Sequence, residues 1–361
     1  MRKSTRIALA AAVAGTMSAV GITAASASVA HPQALRPAAR LDAAGQFAPY
    51  VDMSNSGVGK LDGAITGHGV KTYTAAFTIG SGCNNVWGDT LPVGSDPNVD
   101  PVIAKAKSEG ASVIISSGGA GGAPLAFTCT DQGEIDEGYQ KEITAYGTHS
   151  LDFDIEGASV ADTAGVARQM TAIKDLKAKN SGLTASVTLP VLPNGLTGDG
   201  VNVLKAAKAA GVKLDNVNVM TMDYGQGTGA DMGAAAISAG KATLAQMKSV
   251  DSSYTYANLG ITPMIGVNDD GSTFSLANAA SVASWAASNG VGRMSYWSVS
   301  RDQACTAAAK KASGASRTPA PSAVSAKAGP EAARGAKPAS SPVCSGVSQS
   351  PYAFTDALGK G

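Results

Sequence analysis

Metal ligands and nucleophile pairs are scarce in this chain of 361 residues, which has only three histidines and four cysteines. No two cysteines form a CxxC pair, so the spacing of a structural zinc site is missing and neither a metal nor a cofactor is expected. His31, His68 and His149 leave few candidates for a general base, and no serine or cysteine lies in a nucleophile-elbow motif. Catalysis by a histidine-activated nucleophile is therefore not expected.

Charge is also sparse, because Asp, Glu, Lys and Arg make up 15 % of the chain and nearly cancel to a formal +1. Three basic residues near the N-terminus precede an apolar run of signal-peptide length, with small residues for cleavage at 25–27 or 28–30. Removing residues 1–30 leaves a formal charge of −2, which offers no footprint for nucleic acid. No second apolar run approaches the roughly 20 residues of a membrane span. We expect a secreted, extracellular monomer without nucleic-acid or membrane partners.

Four cysteines in an exported protein indicate two disulfides, which can form in three pairings. Cys83 and Cys129 each follow a predicted strand by a few residues, whereas Cys305 and Cys344 flank a segment of biased composition. The pairs Cys83–Cys129 and Cys305–Cys344 are therefore favoured over the other two pairings.

Short strand-like runs recur along the chain, and several are followed by helical periodicity, as in residues 162–179. Alternation of strand and helix implies a parallel sheet, and eight repeats over about 250 residues favour an α/β fold of the (β/α)8 TIM-barrel type. An open doubly wound sheet would have fewer strands and a Gly-rich phosphate loop, and no such loop follows Asp52. The predicted strands are Phe47–Asp52, Thr72–Ile79, Ser112–Ser117, Ser150–Glu156, Thr184–Leu189, Asn216–Met222, Gly260–Ile265 and Arg293–Val299.

One catalytic barrel, residues 46–305, is predicted after a flexible Ala/Pro-rich lead-in at 31–45. Residues 306–343 carry six basic residues against one acid and no periodic apolar positions, which predicts a disordered insertion. Residues 344–361 are expected to return to the barrel as its terminal helix, with Ser350-Pro351 as its N-cap and first residue.

The run from Ser150 to Glu156 alternates apolar and acidic residues, so a strand here places Asp152, Asp154 and Glu156 on one face. Carboxylates this close push their pKa values apart, leaving the last one protonated and able to act as an acid. The alternative is a half-exposed strand with an acidic face, but edges that use charge defensively favour lysine. His149 opens the run and could pair with Asp152.

Polar and aromatic residues also mark the predicted carboxyl ends of other strands, where (β/α)8 barrels place their active sites. An aromatic platform with carboxylates and a phenol suits a carbohydrate ring. The methionines could equally fill the core, and the Asp-Tyr pair could equally form a turn with a buried phenol. The candidate substrate-binding residues are Tyr50, Ser116, Gly118, Gly119, Met220, Met222, Asp223, Tyr224 and Trp297.

The segment Leu151–Glu156 resembles the DxxDxDxE signature of glycoside hydrolase family 18, the chitinase family. Further motifs agree in the same order, namely Ser116-x-Gly118-Gly119, the Met220–Tyr224 run and Trp297, so that the resemblance covers residues 46–302. The first aspartate of the signature is replaced by His149, and we therefore expect an altered pH dependence. The catalytic glutamate position, Glu156, is intact, which argues against the inactive lectin-like members of the family.

The resemblance implies a retaining hydrolase of β-1,4-linked N-acetylglucosamine, in chitin or its oligomers, that uses the substrate's own acetamido group as nucleophile. Glu156 would protonate the glycosidic oxygen. Asp154 would orient the acetamido group and stabilise the charge that develops, while Asp152 would hold Asp154.

The same resemblance implies that Tyr224 or Asp223 steadies the acetamido group and that Trp297 forms the floor beneath the sugar. Two alternatives stay open at this point. One is an endo-β-N-acetylglucosaminidase acting on N-glycans, and the other is a chitin-binding protein without turnover.

Overall fold

The computed structural model of the protein describes residues 45–88, 90–306 and 340–359. The predicted signal peptide (1–30), all but the last residue of the predicted lead-in and most of the predicted insertion (307–339) lie outside the described residues. Within the described ranges no helix is long and apolar enough to cross a membrane.

Parallel strands form the main sheet, and their bounds agree with the eight predicted runs to within a few residues. In chain order the strands of the structure are β1 (Gln46–Phe47), β2 (Tyr50–Asp52), β3 (Thr72–Ser81), β4 (Asn84–Trp87), β5 (Ser112–Gly118), β6 (Ser150–Asp154), β7 (Thr184–Leu192), β8 (Gly195–Leu196), β9 (Asn216–Met220), β10 (Leu259–Thr262), β11 (Gly266–Val267), β12 (Thr273–Phe274) and β13 (Arg293–Met294). Strands β4 and β8 fold back antiparallel on β3 and β7, and β11 and β12 form a separate pair.

The sheet closes on itself because β1 and β2 are two parts of one strand, interrupted only by Ala48 and Pro49. Strand β1 pairs parallel with β13, and β2 pairs parallel with β3. Across the interruption, the backbone N–H of Tyr50 still donates to the carbonyl of Tyr296 (3.0 Å). The strands in between follow the order β13, β10, β9, β7, β6, β5 and β3. Eight strand positions thus complete a (β/α)8 barrel, as predicted.

Helices surround this barrel, and most of them lie in the chain between consecutive barrel strands. They are α1 (Lys60–His68), α2 (Asp100–Ser108), α3 (Leu125–Thr128), α4 (Gln132–Tyr146), α5 (Thr163–Lys179), α6 (Gly198–Ala209), α7 (Met232–Val250), α8 (Leu276–Asn289) and α9 (Ala353–Leu358).

Helix α5 shows how the sequence determines one of these elements. Its apolar stripe, Val166, Met170, Ile173 and Leu176, is buried against the barrel, as the spacing predicts. The side chain of Asp162 accepts from two backbone N–H groups of the first turn and therefore fixes where the helix begins.

The terminal helix α9 packs on α8 and begins later than predicted. Ser350 does not cap it; its carbonyl accepts from Ala353 N (3.3 Å) within a turn, and Tyr352 precedes the helix with a left-handed φ of 64°. The buried carboxylate of Asp302 instead receives the first backbone N–H groups of the helix, those of Phe354 and Thr355. A tertiary acceptor has replaced the local cap that the Ser-Pro pair predicts.

Both favoured disulfides are present. Cys83 bonds Cys129, and Cys305 bonds Cys344, with Cα–Cα distances of 4.6 and 5.1 Å. The second disulfide joins the two ends of the chain that flank residues 307–339. The buried guanidinium of Arg301 reinforces that junction by donating to the carbonyls of Ile265, Val267 and Ser341.

Candidate active site

The acids of β6 face the inside of the barrel, where Asp152 is fully buried and Asp154 is 3 % exposed. Asp152 lies deeper and is surrounded by hydroxyl groups. Its Oδ2 accepts from Tyr50 Oη and Ser116 Oγ (both 2.8 Å), and its Oδ1 accepts from Ser186 Oγ (2.5 Å). Thr188 Oγ1 lies 3.0 Å from both oxygens. Both oxygens of Asp152 therefore act as acceptors in a saturated network.

Asp154 and Glu156 form a second group of acids, nearer the barrel mouth. Burial, the charges of Glu156 and Asp152 and a hydrogen bond with Glu156 raise the pKa of Asp154 well above its usual range. Among the described atoms Asp154 Oδ1 has no hydrogen-bond partner. Burial raises the pKa of Glu156 to about 7; the hydrogen bond with Asp154 opposes this rise and the charge of Asp223 adds to it. At neutral pH the pair consequently retains a proton.

Glu156 lies just beyond the strand rather than in it, because β6 ends at Asp154 and a 3-10 turn begins at Gly157. The backbone N–H of Ile155 still donates to the carbonyl of Thr188 (3.0 Å), so the alternation of faces continues to this point. The half-buried Glu156 is therefore positioned by β6 while its carboxyl reaches the opening of the barrel.

Two glycines allow β5 to approach the acidic strand closely. Gly118 has a φ of 118°, and a Cβ there would lie 2.0 Å from the carbonyl oxygen of Asp154. Gly119 has a φ of 80°, and a Cβ there would lie 2.5 Å from the ring of Phe77. The backbone N–H of Gly119 donates to the carbonyl of Asp154 (3.1 Å). Side chains at these positions would displace the acid or the neighbouring ring.

Aromatic rings cluster beside the acids. The half-buried ring of Trp297 stacks on Phe77, with centroids 5.6 Å apart and planes inclined by 14°, and it lies 6.0 Å from the ring of Tyr50. Because the hydroxyl of Tyr50 donates to Asp152, one side chain connects the aromatic cluster to the acidic strand. The structure thus brings Trp297, Tyr50 and the acids to the same end of the barrel.

Asp223 follows β9 in a left-handed conformation (φ 50°), which Asp tolerates better than most residues. Its Oδ1 accepts from the backbone N–H of Asp270 (3.1 Å). Although the residue as a whole is exposed, burial of the carboxyl raises the pKa of Asp223 to about 6, and the charges of Asp269 and Asp270 add to this effect. Its charge in turn raises the pKa of Glu156, which places the two carboxyls in one electrostatic environment.

Tyr224 is buried, and its hydroxyl has no hydrogen-bond partner among the described atoms. Burial raises the pKa of this phenol above its ordinary value, so it is a neutral donor. Met220 ends β9 and Met222 follows it, and both are half-buried. Neither methionine belongs to the fully buried core, so each presents part of its side chain to solvent.

Comparison with known proteins agrees with this geometry. No family model matches the chain. It is 36 % identical over 276 residues to a probable bifunctional chitinase/lysozyme of Escherichia coli and 35 % identical over 273 residues to endochitinase 11 of Metarhizium anisopliae. Each match covers 71 % of this chain, which spans only 31 % and 52 % of those proteins. The solved catalytic domain of a hyperthermophilic chitinase from Pyrococcus furiosus gives a TM-score of 0.69 at 28 % identity, covering 88 % of this chain and 94 % of that domain.

The chain is thus a homologue of chitinases of the glycoside hydrolase family 18 type. The acidic strand, Gly118 with the adjacent Gly119 at the end of β5, and Trp297 lie at one end of the barrel. The alternative of a solvent-facing acidic strand is wrong, because Asp152 and Asp154 are buried inside the barrel.

Several residues of this candidate site carry no motif that sequence reasoning detected. Ser186 and Thr188 alternate with apolar residues in β7, and that period of two was a usable signal. Phe77 follows Ala75 and Ala76 in β3, and three adjacent apolar residues show no alternation that would reveal its orientation. Arg293 lies in a strand of only two residues, where periodicity carries no information.

His149 does not contact Asp152 in the described structure. His149 is half-buried and directly precedes β6, and its backbone carbonyl accepts a hydrogen bond from Thr184 N (2.8 Å). The cation that approaches Asp152 is Arg293, whose Nη1 lies 4.0 Å from Asp152 Oδ1. Of the two roles open for His149, pairing with Asp152 is therefore not seen, and its backbone hydrogen bond fits the structural role.

Proposed function

We propose that this protein is a secreted, retaining glycosidase that hydrolyses β-1,4-linked N-acetylglucosamine in chitin or chito-oligomers. The observation that carries the proposal is the buried Asp154–Glu156 pair inside a barrel of the chitinase fold, where burial raises the pKa of both carboxyls. A general acid works best when its pKa lies near the working pH, and that of Glu156 is about 7.

In the proposed first step, Glu156 transfers its proton to the glycosidic oxygen as the bond between that oxygen and the anomeric carbon breaks. The carbonyl oxygen of the substrate's 2-acetamido group attacks the anomeric carbon from the opposite face and forms an oxazolinium ion. In the second step Glu156, now a carboxylate, takes a proton from water as the water oxygen attacks the anomeric carbon. The bond from that carbon to the acetamido oxygen breaks, which opens the oxazolinium ring and restores the acetamido group. Two inversions at one carbon retain its configuration.

Asp154 is the proposed stabiliser of the oxazolinium charge. When the single proton of the pair passes from Glu156 to the glycosidic oxygen, Asp154 is left negative beside the acetamido group. A carboxylate fixed in a low-dielectric site stabilises such a charge more than it would in water. Asp152, with both oxygens saturated by hydroxyls, would hold this arrangement in place.

The remaining proposed contacts orient the sugar. Trp297, supported by Phe77 beneath it, offers a flat apolar surface to the C–H face of the ring. The unpartnered hydroxyl of Tyr224 and the carboxyl of Asp223 are the proposed donor and acceptor for the acetamido group, with Met220 and Met222 beside them.

Secretion is part of the proposal because two disulfides persist in oxidising compartments and the chain begins with a signal-like segment. A monomer is proposed as the working form.

The direct test is a digest of chitohexaose, with products sized by mass spectrometry and their anomers read by proton NMR in the first minutes. We expect shorter oligomers whose new reducing ends are β. Parallel digests with a high-mannose glycoprotein and with peptidoglycan are included, the latter because the E. coli relative is named a probable chitinase/lysozyme. Release of N-glycans without chitohexaose cleavage would favour the endo-β-N-acetylglucosaminidase, and binding of chitohexaose without products would favour a non-catalytic protein.

A further inference from the structure

Arg293 is a buried cation inside the barrel, 6 % exposed, at the start of β13. Its Nη1 donates to Ser186 Oγ (2.9 Å), and that hydroxyl donates to Asp152 Oδ1 (2.5 Å). The same guanidinium nitrogen lies 4.0 Å from Asp152 Oδ1. Arg293 thus reaches Asp152 both through space and through one bridging hydroxyl.

The hydrogen bonds around Asp152 suit a carboxylate better than a neutral acid. Hydroxyls of Tyr50 and Ser116 donate to one oxygen and that of Ser186 to the other. An ionised carboxylate only accepts, whereas a protonated one must donate from one oxygen. A buried anion without a counter-charge would cost several kcal/mol.

The charged and titratable groups near Asp152 come from few elements. Asp154 on the same strand carries the proton shared with Glu156, and Tyr50 contributes a neutral phenol from β2. Asp215, which precedes β9, acts on Arg293 and is itself paired with Lys177 (2.6 Å). Within the described ranges, Arg293 is the cation that the structure pairs with Asp152.

We infer that Arg293 is a positioning residue whose charge holds Asp152 as an anion, and that anionic Asp152 confines the shared proton to Asp154 and Glu156. The negative charge of Asp152 is one of the causes that keep the proton on Asp154. If Asp152 became neutral, that influence would be lost, and the Asp154–Glu156 pair would hold its proton less tightly. The inference rests on the proposed function, since it concerns which acid delivers the proton.

This role gives a reason for a buried cation inside the barrel. His149 occupies the position where the family signature has its first aspartate, and it does not contact Asp152. Only three acids of the signature remain, and Arg293 compensates the charge of the innermost buried one.

The first test is the pH profile of kcat/KM on chitohexaose for Arg293→Met, Arg293→Lys and Ser186→Ala. Arg293→Met is expected to lower the maximum at least about tenfold and to move the acidic limb up by about 1 pH unit or more. Arg293→Lys restores the charge and should return the limb to the wild-type position. Ser186→Ala removes the bridging hydroxyl but keeps the charge, so it should move the limb less than Arg293→Met does. An unmoved limb in Arg293→Met, or equal shifts in the Met and Lys variants, would overturn the inference.

A second test needs no substrate and so separates this inference from the proposed function. Melting temperatures are measured for Arg293→Met, Asp152→Asn and the double variant. If the two residues form a charge pair, Arg293→Met lowers Tm by about 5 °C in the wild type and by less than half of that in Asp152→Asn. Equal losses in both backgrounds would contradict the pairing. If the wild type leaves chitohexaose intact, the proposed function fails and this cycle still decides whether Arg293 acts on Asp152.

Discussion

Asp152 and Asp154 are the same residue type, two positions apart on one face of one strand, yet their surroundings differ sharply. Asp152 has acceptor bonds on both oxygens and a guanidinium 4.0 Å away. Asp154 has an oxygen without a partner and the carboxyl of Glu156 as its neighbour. The first environment stabilises a negative charge, and the second stabilises a proton.

The difference shows that the role of each acid is set by the neighbouring strands and not by the acidic strand itself. Hydroxyls and a cation from β2, β5, β7 and β13 converge on the inner acid, whereas the outer acids meet mainly each other and Asp223. A barrel achieves this because inward side chains from several strands meet in one layer at each depth.

The largest expected effect comes from removing the outer acid, which tests whether its proton is the one used. Glu156→Gln should lower kcat by about 10³-fold to 10⁴-fold, because general acid catalysis is lost. Glu142→Gln is the matched control. Glu142 is also a buried glutamate whose pKa burial raises to about 7, but it lies on α4 outside the barrel and accepts from Thr78 and Asn85. Its kcat should stay within about threefold of wild type. Equal losses of kcat in the two variants would show that Glu156 has no special part in catalysis.

A smaller loss is expected from Asp154→Asn, which keeps the shape of the side chain but not its charge. We expect kcat to fall by about 10²-fold to 10³-fold with little change in KM, because the charge is needed most in the transition state. Steady-state kinetics on chitohexaose measure both constants. An effect confined to KM would mean that Asp154 binds the ground state only.

The sequence was sufficient to predict the acidic strand, because the alternation of apolar and acidic residues indicates both a strand and the face on which its acids lie. It was also sufficient for Trp297 and Tyr50, since strand ends of a (β/α)8 barrel converge. It was insufficient for Arg293 and Phe77, whose contacts depend on the closure of the barrel. The later start of α9 could not be foreseen either, because its first N–H groups are satisfied by Asp302, about 50 residues earlier.

The free energy of unfolding should depend on pH through Glu142, the buried acid outside the barrel. The folded-state pKa of Glu142, about 7, lies above its ordinary value of 4.5, so the folded protein binds the proton more tightly than the unfolded chain does. The stability this contributes is present at low pH and is lost as pH rises from about 4.5 to about 7. Glu142→Gln does not titrate and should exceed the wild type by about 2 kcal/mol at pH 8, with little difference at pH 5. Chemical denaturation at both pH values measures this gap. A gap that is the same at both pH values would be inconsistent with a raised pKa.

The smallest effect is expected from deleting residues 310–339 and joining the ends with a short Gly-Ser linker. The flanking chain is already held by Cys305–Cys344 and by the donation of Arg301 to the carbonyl of Ser341, which the deletion preserves. Activity on chitohexaose should stay within about twofold, since loops closed at both ends add little to the core. Failure of the deleted protein to fold would show that this segment contributes to the barrel.

The most direct measurement is a carbon-13 NMR titration of the glutamate side-chain carboxyls in the wild type, Glu156→Gln and Glu142→Gln. We predict a carboxyl that titrates near pH 7, disappears in Glu156→Gln and persists in Glu142→Gln. If the signal assigned to Glu156 instead titrates near the ordinary glutamate value of 4.5, the outer acid holds no proton at neutral pH and the account of this site is wrong.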